Sequence, residues 1–257
     1  MEFITVTQSL FEGFAVTCLL FVLTLLFSLP LGLLISFGTM SKIKVVRGGF
    51  KVFVWVIRGV PLMLQLFIVY YLPGMLSSTG LNPFGKIDNY LYFNFGIDNG
   101  GALLATLIAF IINYAAYFSE IFRGGIESIP KGQYEAGQVL GMSKGQIFRK
   151  VILMQVVKRI IPPISNEVIT LVKDTALARV IGVIEIIKKA DMFASKAIIW
   201  PLFYAGAFYL IFVGLLTVLF NFIEKKLSYY KVCYGVFRSK RYSKKFWRYA
   251  GSKRRFV

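Results

Sequence analysis

The chain has 257 residues, of which 57% are hydrophobic and 16% aromatic, and its formal net charge is +18. This apolar composition is typical of a membrane protein and excludes an ordinary soluble domain. The absence of histidine excludes catalysis and metal binding by that side chain, and Cys18 and Cys233 have neither disulfide nor metal-site spacing. We therefore expect an all-α integral membrane protein without catalytic residues or metal ligands.

Five segments are apolar enough to be predicted as transmembrane helices, namely 14–37, 52–72, 102–122, 155–172 and 197–223. A helix of about 20 residues is long enough to cross the hydrocarbon core of a bilayer. The fourth segment contains Pro162 and Pro163, which weaken a helix, so we expect this span to be broken there. Between the fourth and fifth spans we expect a half-inserted or surface helix.

The Lys and Arg residues are distributed unevenly among the segments that connect these spans. The stretches 38–51, 123–162 and the chain after residue 222 hold 23 of the 30, whereas 73–101 and 173–196 together hold 6. Because cytoplasmic segments carry the excess of basic residues, we expect the N-terminus outside and the C-terminus in the cytoplasm. The predicted organisation is an external segment 1–13, a transmembrane domain 14–223 and a basic cytoplasmic tail 224–257.

Arg58, Glu120 and Glu167 are the ionisable residues predicted to lie nearest the bilayer interior, where a charge is energetically costly and often functional. Arg58 and Glu120 lie near the cytoplasmic ends of their spans, so snorkelling or ion pairing is favoured for both. Contact with a substrate is the alternative for Arg58. Glu167 lies deep in the span that contains the two prolines, and we expect it to contact a substrate together with Asn166. Gln65 has two open interpretations, a hydrogen bond to substrate or a bridge between helices.

The predicted cytoplasmic segment 127–154 is polar and rich in small residues. Its residues 135–140 are predicted to form a short helix that Gly141 ends as a C-terminal cap. Ser143 and Gln146 have the spacing of a capping box, which begins a second helix. Ala136 and Gly137 leave one face of the first helix small, so that this face can dock closely against a partner.

These residues carry a resemblance to a known family. The stretch Glu135-Ala136-Gly137 with Leu140-Gly141 resembles the EAA loop of the permeases of ABC importers. Four further stretches resemble segments of the permeases for polar amino acids of the histidine, glutamine and arginine type. They are RGVPL with QLF at 58–67, AYFSEIFRGGI at 116–126, SIPKGQ at 128–133 and KDTAL at 173–177.

The resemblance implies a type I ABC importer permease fold with five transmembrane helices, in a bacterial cytoplasmic membrane. It implies that Glu135, Ala136, Gly137, Leu140 and Gly141 dock into a cytoplasmic ATPase dimer, which binds the ATP and magnesium. It also implies a second permease subunit, an external substrate-binding protein and a polar amino acid as cargo. The chain itself is expected to hold no cofactor and to hydrolyse no ATP.

Four residues depart from the family pattern. Val60 and Ala176 stand where threonine and serine are usual, Gly137 replaces the second alanine of the loop, and Met154 replaces a proline. The first two departures each remove a hydroxyl group, so the resemblance does not carry over a particular cargo.

An ATP-independent channel or ion-coupled carrier is the alternative function, and it leaves the structured cytoplasmic loop unexplained. The stretch 80–86 fits the start of a phosphate-binding P-loop, but Ile87 stands where Ser or Thr should hold magnesium, so we predict no nucleotide site. The tail interleaves basic and aromatic residues. Directly after a span, attraction to anionic lipid headgroups is favoured over nucleic-acid binding, and no nucleic-acid partner is expected.

Overall fold

A computed structural model describes residues 3–76, 83–84, 86–87 and 100–227. Its main helices are α1 (Phe3–Thr39), α2 (Lys44–Gly59), α3 (Leu62–Leu76), α4 (Gly100–Glu127), α5 (Lys131–Val139), α6 (Lys144–Ile147), α7 (Leu153–Asp174), α8 (Ile186–Ala194) and α9 (Trp200–Leu227). A π-helical turn, Phe148–Ile152, joins α6 to α7, and a 3₁₀ segment, Thr175–Ile181, follows α7. Most of the predicted outer loop 73–101, including much of the P-loop-like stretch, and the tail after residue 227 lie outside the described residues.

Three helices of the described part of the chain, α1, α4 and α9, are long and apolar enough to cross a membrane. The pair α2 and α3 meets the same criteria together, but the two helices are bent by 105° relative to each other. Helices α1 and α4 contain the predicted spans 14–37 and 102–122, the pair α2 and α3 with the two residues between them covers 52–72, and α9 covers the predicted span 197–223 except for its first three residues. The remaining predicted span, 155–172, lies within α7, which has 22 residues but carries several charged side chains.

The break in a helix lies elsewhere than predicted. Helix α7 continues through Pro162 and Pro163 without interruption, so the predicted break at these prolines is wrong. The prolines remove two N–H donors, but burial of Val168 and Leu171 further along α7 keeps the helix packed. The chain breaks instead after α2, where Val60 is extended with φ −104° and ψ 132°. Sterics favour this conformation for a residue that precedes proline.

Helices α1 and α4 form the centre of the bundle, and small residues allow them to approach closely. Thr24 and Ser28, which precede Gly32 on α1 at intervals of four residues, are fully buried. A Cβ atom on Gly32 would lie 2.9 Å from the carbonyl oxygen of Ala115 on α4, so only glycine fits at this contact. Helices α2 and α7 both pack against α4.

Candidate functional site

The break between α2 and α3 is stabilised by the side chain of Gln65. Its Nε2 atom donates to the carbonyl oxygens of Ile57 and Val60, at 2.8 and 2.9 Å, and lies 3.2 Å from Oδ1 of Asn113 on α4. Pro61 has no N–H to donate to the carbonyl of Ile57, which would otherwise lack a partner. Gln65 therefore replaces hydrogen bonds that the break removes, and its contact with Asn113 links the break to α4.

A cavity of about 500 Å³ lies beside this break. Its walls come from three separate parts of the chain: the end of α2 and start of α3, the middle of α4, and the second half of α7. The lining residues include Arg58, Val60, Pro61, Asn113, Tyr114, Tyr117, Glu167, Thr170 and Asp174. Thr170 is exposed, so the cavity opens to the surface of the chain.

Opposite charges line this cavity together. Arg58 supplies a cation, and its guanidinium carbon lies 4.9 Å from the centre of the Tyr117 ring. Glu167 and Asp174 supply two carboxylates from α7, and the hydroxyl of Tyr114 donates to Oδ2 of Asp174 at 2.7 Å. The arrangement can hold a small molecule that carries both a positive and a negative group.

The structure brings together two of the four predicted substrate-binding residues. Arg58 and Glu167 both line the cavity. Asn166 is exposed and is absent from the cavity lining. Gln65 is also absent from the lining, and its amide bridges helices as described above, which agrees with one of its two interpretations.

Sequence reasoning did not select Tyr114, Tyr117 or Asp174 as site residues. Asp174 and Tyr117 lie within quoted family stretches, 173–177 and 116–126, so a signal for them was available. No sequence signal marked Tyr114 as a site residue, because an aromatic residue in a predicted span usually belongs to the apolar core. Its assignment depends on the packing of α4 against the end of α7.

The segment 127–154 forms two short helices, as predicted, but the first is longer than the predicted 135–140 and spans Lys131–Val139. Gly141 follows it with φ +71°, the left-handed conformation expected of a helix-ending glycine. The capping box is present: the hydroxyl of Ser143 accepts from the N–H of Gln146, and Oε1 of Gln146 accepts from the N–H of Ser143 at 2.9 Å. The segment is therefore a defined helix–turn–helix.

The five predicted coupling residues do not share one face of this segment. Glu135, Ala136, Leu140 and Gly141 are exposed, and Leu140 retains 77% of its accessible surface. Gly137 is buried, and a Cβ atom there would lie 2.7 Å from Cγ1 of Ile147. The glycine thus allows α5 and α6 to pack against each other.

The helix–turn–helix is joined to the cavity by a continuous helical path. Helix α6 passes through the π-helical turn directly into α7, which carries Glu167. The buried side chains of Ile129, Ile147, Ile152 and Val156 pack together at this junction. Movement of the loop would therefore be transmitted to one wall of the cavity.

Comparison with known proteins gives a family match over most of the chain. Residues 28–229 match the family described as the inner membrane component of binding-protein-dependent transport systems. An L-cystine transport system permease protein of Bacillus subtilis is 37% identical over 221 residues, which cover 85% of this chain and 86% of that protein. An arginine transport system permease protein of the same organism is 35% identical and covers 84% and 91%.

Solved structures show the same fold. A chain of a crystal structure of an amino acid ABC transporter with histidines superposes with a TM-score of 0.69 and is 29% identical, covering 88% of this chain and 99% of that chain. A chain of the MetNI methionine ABC transporter, in an inward-facing conformation, superposes with a TM-score of 0.58 at 18% identity, with the same coverage. The second comparison supports the fold alone.

Proposed function

The chain belongs to the family of inner membrane components of binding-protein-dependent transport systems, and we propose that its cavity between α2, α4 and α7 binds an amino-acid cargo. It is a permease subunit of an amino-acid ABC importer, and the resemblance of its motifs to such permeases is confirmed. The presence of Arg58 and Glu167 in one cavity is the observation that carries the proposal for the cargo site.

In the proposed binding mode, Arg58 contacts the α-carboxylate of the cargo and Glu167 contacts its α-ammonium group. A guanidinium can form two parallel hydrogen bonds with a carboxylate, which fixes orientation as well as charge. Asp174 accepts from Tyr114 and completes the wall beside Glu167. A zwitterion pairs with both Arg58 and Glu167, so every amino acid would share these two contacts. The cavity wall near Val60 and Thr170 would then contact the side chain of the cargo.

We propose five membrane crossings, formed by α1, the bent pair α2–α3, α4, α7 and α9. At 1.5 Å per residue, the 22 residues of α7 extend about 33 Å, which is long enough to cross. The excess of basic residues in 38–51, 123–162 and the tail supports an external N-terminus and a cytoplasmic C-terminus, in a bacterial cytoplasmic membrane. Charges on α7 would face the cavity or protein.

A second permease subunit, either another copy or a close relative, would cover the open side of the cavity. The exposed Thr170 at the cavity rim supports this arrangement. Large apolar side chains on α2 and α3 are also exposed, including Trp55 at 76% and Met75 at 81%. Lipid and the second subunit would share this apolar surface.

The proposed mechanism is alternating access driven by a separate ATPase dimer that holds the ATP and magnesium. The exposed residues Glu135, Ala136 and Leu140 dock into a cleft of one ATPase subunit. Closure of the ATPase dimer pulls α5 and α6, and the continuous path into α7 shifts the wall that carries Glu167. An external binding protein delivers the cargo to the outer mouth of the cavity.

The test is uptake by the complete importer, reconstituted in vesicles with its ATPase and binding protein. Radiolabelled L-cystine, L-arginine and L-glutamine are offered separately, with ATP present or absent inside. We expect ATP-dependent uptake of at least one, and a KM raised about 10–100-fold by Glu167→Gln, since a charged hydrogen bond contributes about 1.5–3 kcal/mol. Asn166→Ala, in the same helix but outside the cavity, should leave the KM within about twofold.

Two results would contradict the proposal. Uptake by the permease chain alone, without ATP, would favour the ion-coupled carrier. Unchanged affinity after Glu167→Gln would remove this carboxylate from the cargo site.

A further inference from the structure

A second cavity, of about 470 Å³, adjoins the proposed cargo cavity. The two cavities share Arg58, Gly59 and Tyr117, so the guanidinium of Arg58 lies at their junction. The second cavity extends from this junction along α2 toward its first residue and is also lined by Lys51 and Trp55. In the proposed topology, this direction leads to the cytoplasm.

The charges of the second cavity are not balanced among its own residues. Glu120 lies opposite α2, but its Oε2 is 2.5 Å from Nη2 of Arg123, which also contacts Glu127 at 2.8 Å. Within the part of the chain that the structure describes, neither Lys51 nor Arg58 forms an ion pair with a carboxylate. The cavity therefore offers two cations to an anionic group.

Lys51 and Arg58 lie on the same side of α2, because seven residues make nearly two turns of an α-helix. They are separated by about 10.5 Å along the helix axis. Val54, between them, is buried against α1 and α4, so this part of α2 is fixed in place. Lys44 continues the same side of α2 but lies outside both cavities.

We propose that the second cavity is a second, weaker binding site for the carboxylate of the cargo, used on its way to the cytoplasm. The inference rests on the proposed function of the first cavity. Arg58 holds one carboxylate in the first cavity, and its remaining N–H donors contact a second carboxylate in the second cavity, where Lys51 is the other partner. Lys51 is exposed and attracts the carboxylate through water, so the site is weak enough to release it.

The experiment measures equilibrium binding of radiolabelled L-cystine, L-arginine and L-glutamine to the permease–ATPase complex in lipid nanodiscs, without ATP and without the external binding protein, whose own cargo site would otherwise add a further class. For the amino acid that the vesicles take up, we expect a tighter and a weaker class of site, with dissociation constants at least tenfold apart. Lys51→Gln should abolish the weaker class and leave the tighter class within twofold. Lys51→Arg should restore it, and Lys44→Gln, the control, should retain both classes.

Two further arms identify the group that binds. The same amino acid with its carboxylate converted to a carboxamide should not occupy the weaker class. Nanodiscs of phosphatidylcholine alone and nanodiscs containing phosphatidylglycerol should give the same result. If the weaker class disappears only when phosphatidylglycerol is present, the cavity binds a lipid phosphate and the inference is overturned.

A single class of site in the unmodified importer, or two classes that Lys51→Gln leaves unchanged, would also overturn the inference while ATP-dependent uptake stands. Absence of uptake and binding for all three amino acids would overturn the proposed function and, with it, this inference.

Discussion

The helix–turn–helix of residues 127–154 and the cavity beside α2 are built in opposite ways. The first is held by contacts between near neighbours, such as Ser143 with Gln146 and Gly137 with Ile147. The second takes its charges from distant parts of the chain, with Arg58 from the end of α2 and Glu167 from α7. A change in the loop should therefore act on docking, whereas a change near the cavity can act on both cargo and fold.

Charge reversal at Glu135 should have the largest effect and tests whether the loop acts only in docking. Placing Arg on this exposed face should weaken ATPase association at least 100-fold, since a misplaced charge at an interface costs several kcal/mol. Co-purification of the ATPase and ATP-driven uptake measure the loss. Cargo binding to the permease should remain unchanged. Lys44→Glu, a charge reversal of equal size outside the loop, should retain the ATPase. If Lys44→Glu also loses the ATPase, the effect of Glu135→Arg is not specific to the loop.

Loss of the charge of Arg58 should have the next largest effect, and it tests the cavity. Arg58→Gln should raise the KM for uptake about 10–100-fold, because charge-assisted hydrogen bonds contribute about 1.5–3 kcal/mol. Arg58→Lys should recover part of this loss, since an ammonium keeps the charge but not the paired geometry. A lower melting temperature with an unchanged KM would instead assign Arg58 to snorkelling or to its contact with Tyr117.

The same contrast explains how much the sequence could predict. The turn at Gly141 and the capping box at Ser143 depend on residues within a few positions of each other, so both were predicted and both are present. The position of the helix break was not predicted correctly. Pro162 and Pro163 are tolerated within α7, whereas the single Pro61 follows an extended residue at a true break. Only the tertiary packing distinguishes these two cases.

The site residues divide along the same line. Arg58 and Glu167 were predicted because a charged side chain within a transmembrane span is energetically costly and is often functional. That they line one cavity follows only from the packing of α2 and α7 against α4. Asn166 was selected because it neighbours Glu167, but successive residues on a helix point in directions about 100° apart. The sequence therefore identified the charged groups but not the wall they form.

Replacement of Gln65 by Leu should destabilise the fold more than it weakens cargo binding. Its effect on the KM for uptake should be smaller than that of Arg58→Gln. It leaves the carbonyls of Ile57 and Val60 without their donor, at about 1–3 kcal/mol for each buried group. The melting temperature of the permease should fall by several degrees, at about 2–4 °C per kcal/mol for a chain of this size. Asn166→Leu, an exposed amide, should leave it nearly unchanged. A tenfold change in KM without loss of stability would indicate instead that Gln65 contacts the cargo.

Addition of one methyl group at Gly137 should have the smallest effect and gives the finest test of the loop. The new Cβ would lie 2.7 Å from Cγ1 of Ile147, and overpacking of this kind costs about 1–3 kcal/mol. The better helix propensity of alanine offsets about 1 kcal/mol of this cost, so Gly137→Ala should weaken ATPase association only several-fold. Gly132→Ala lies in the same helix with no neighbour within 4 Å and should not weaken it.

The double variant Gly137→Ala with Ile147→Ala decides whether the contact with Ile147 is the cause. Removing the facing side chain makes room for the new methyl group, so alanine at 137 should no longer be harmful in that background. Tighter ATPase association in Gly137→Ala alone would mean that residue 137 faces the partner. The loop would then repack on docking, and its internal contacts would no longer be separate from its function.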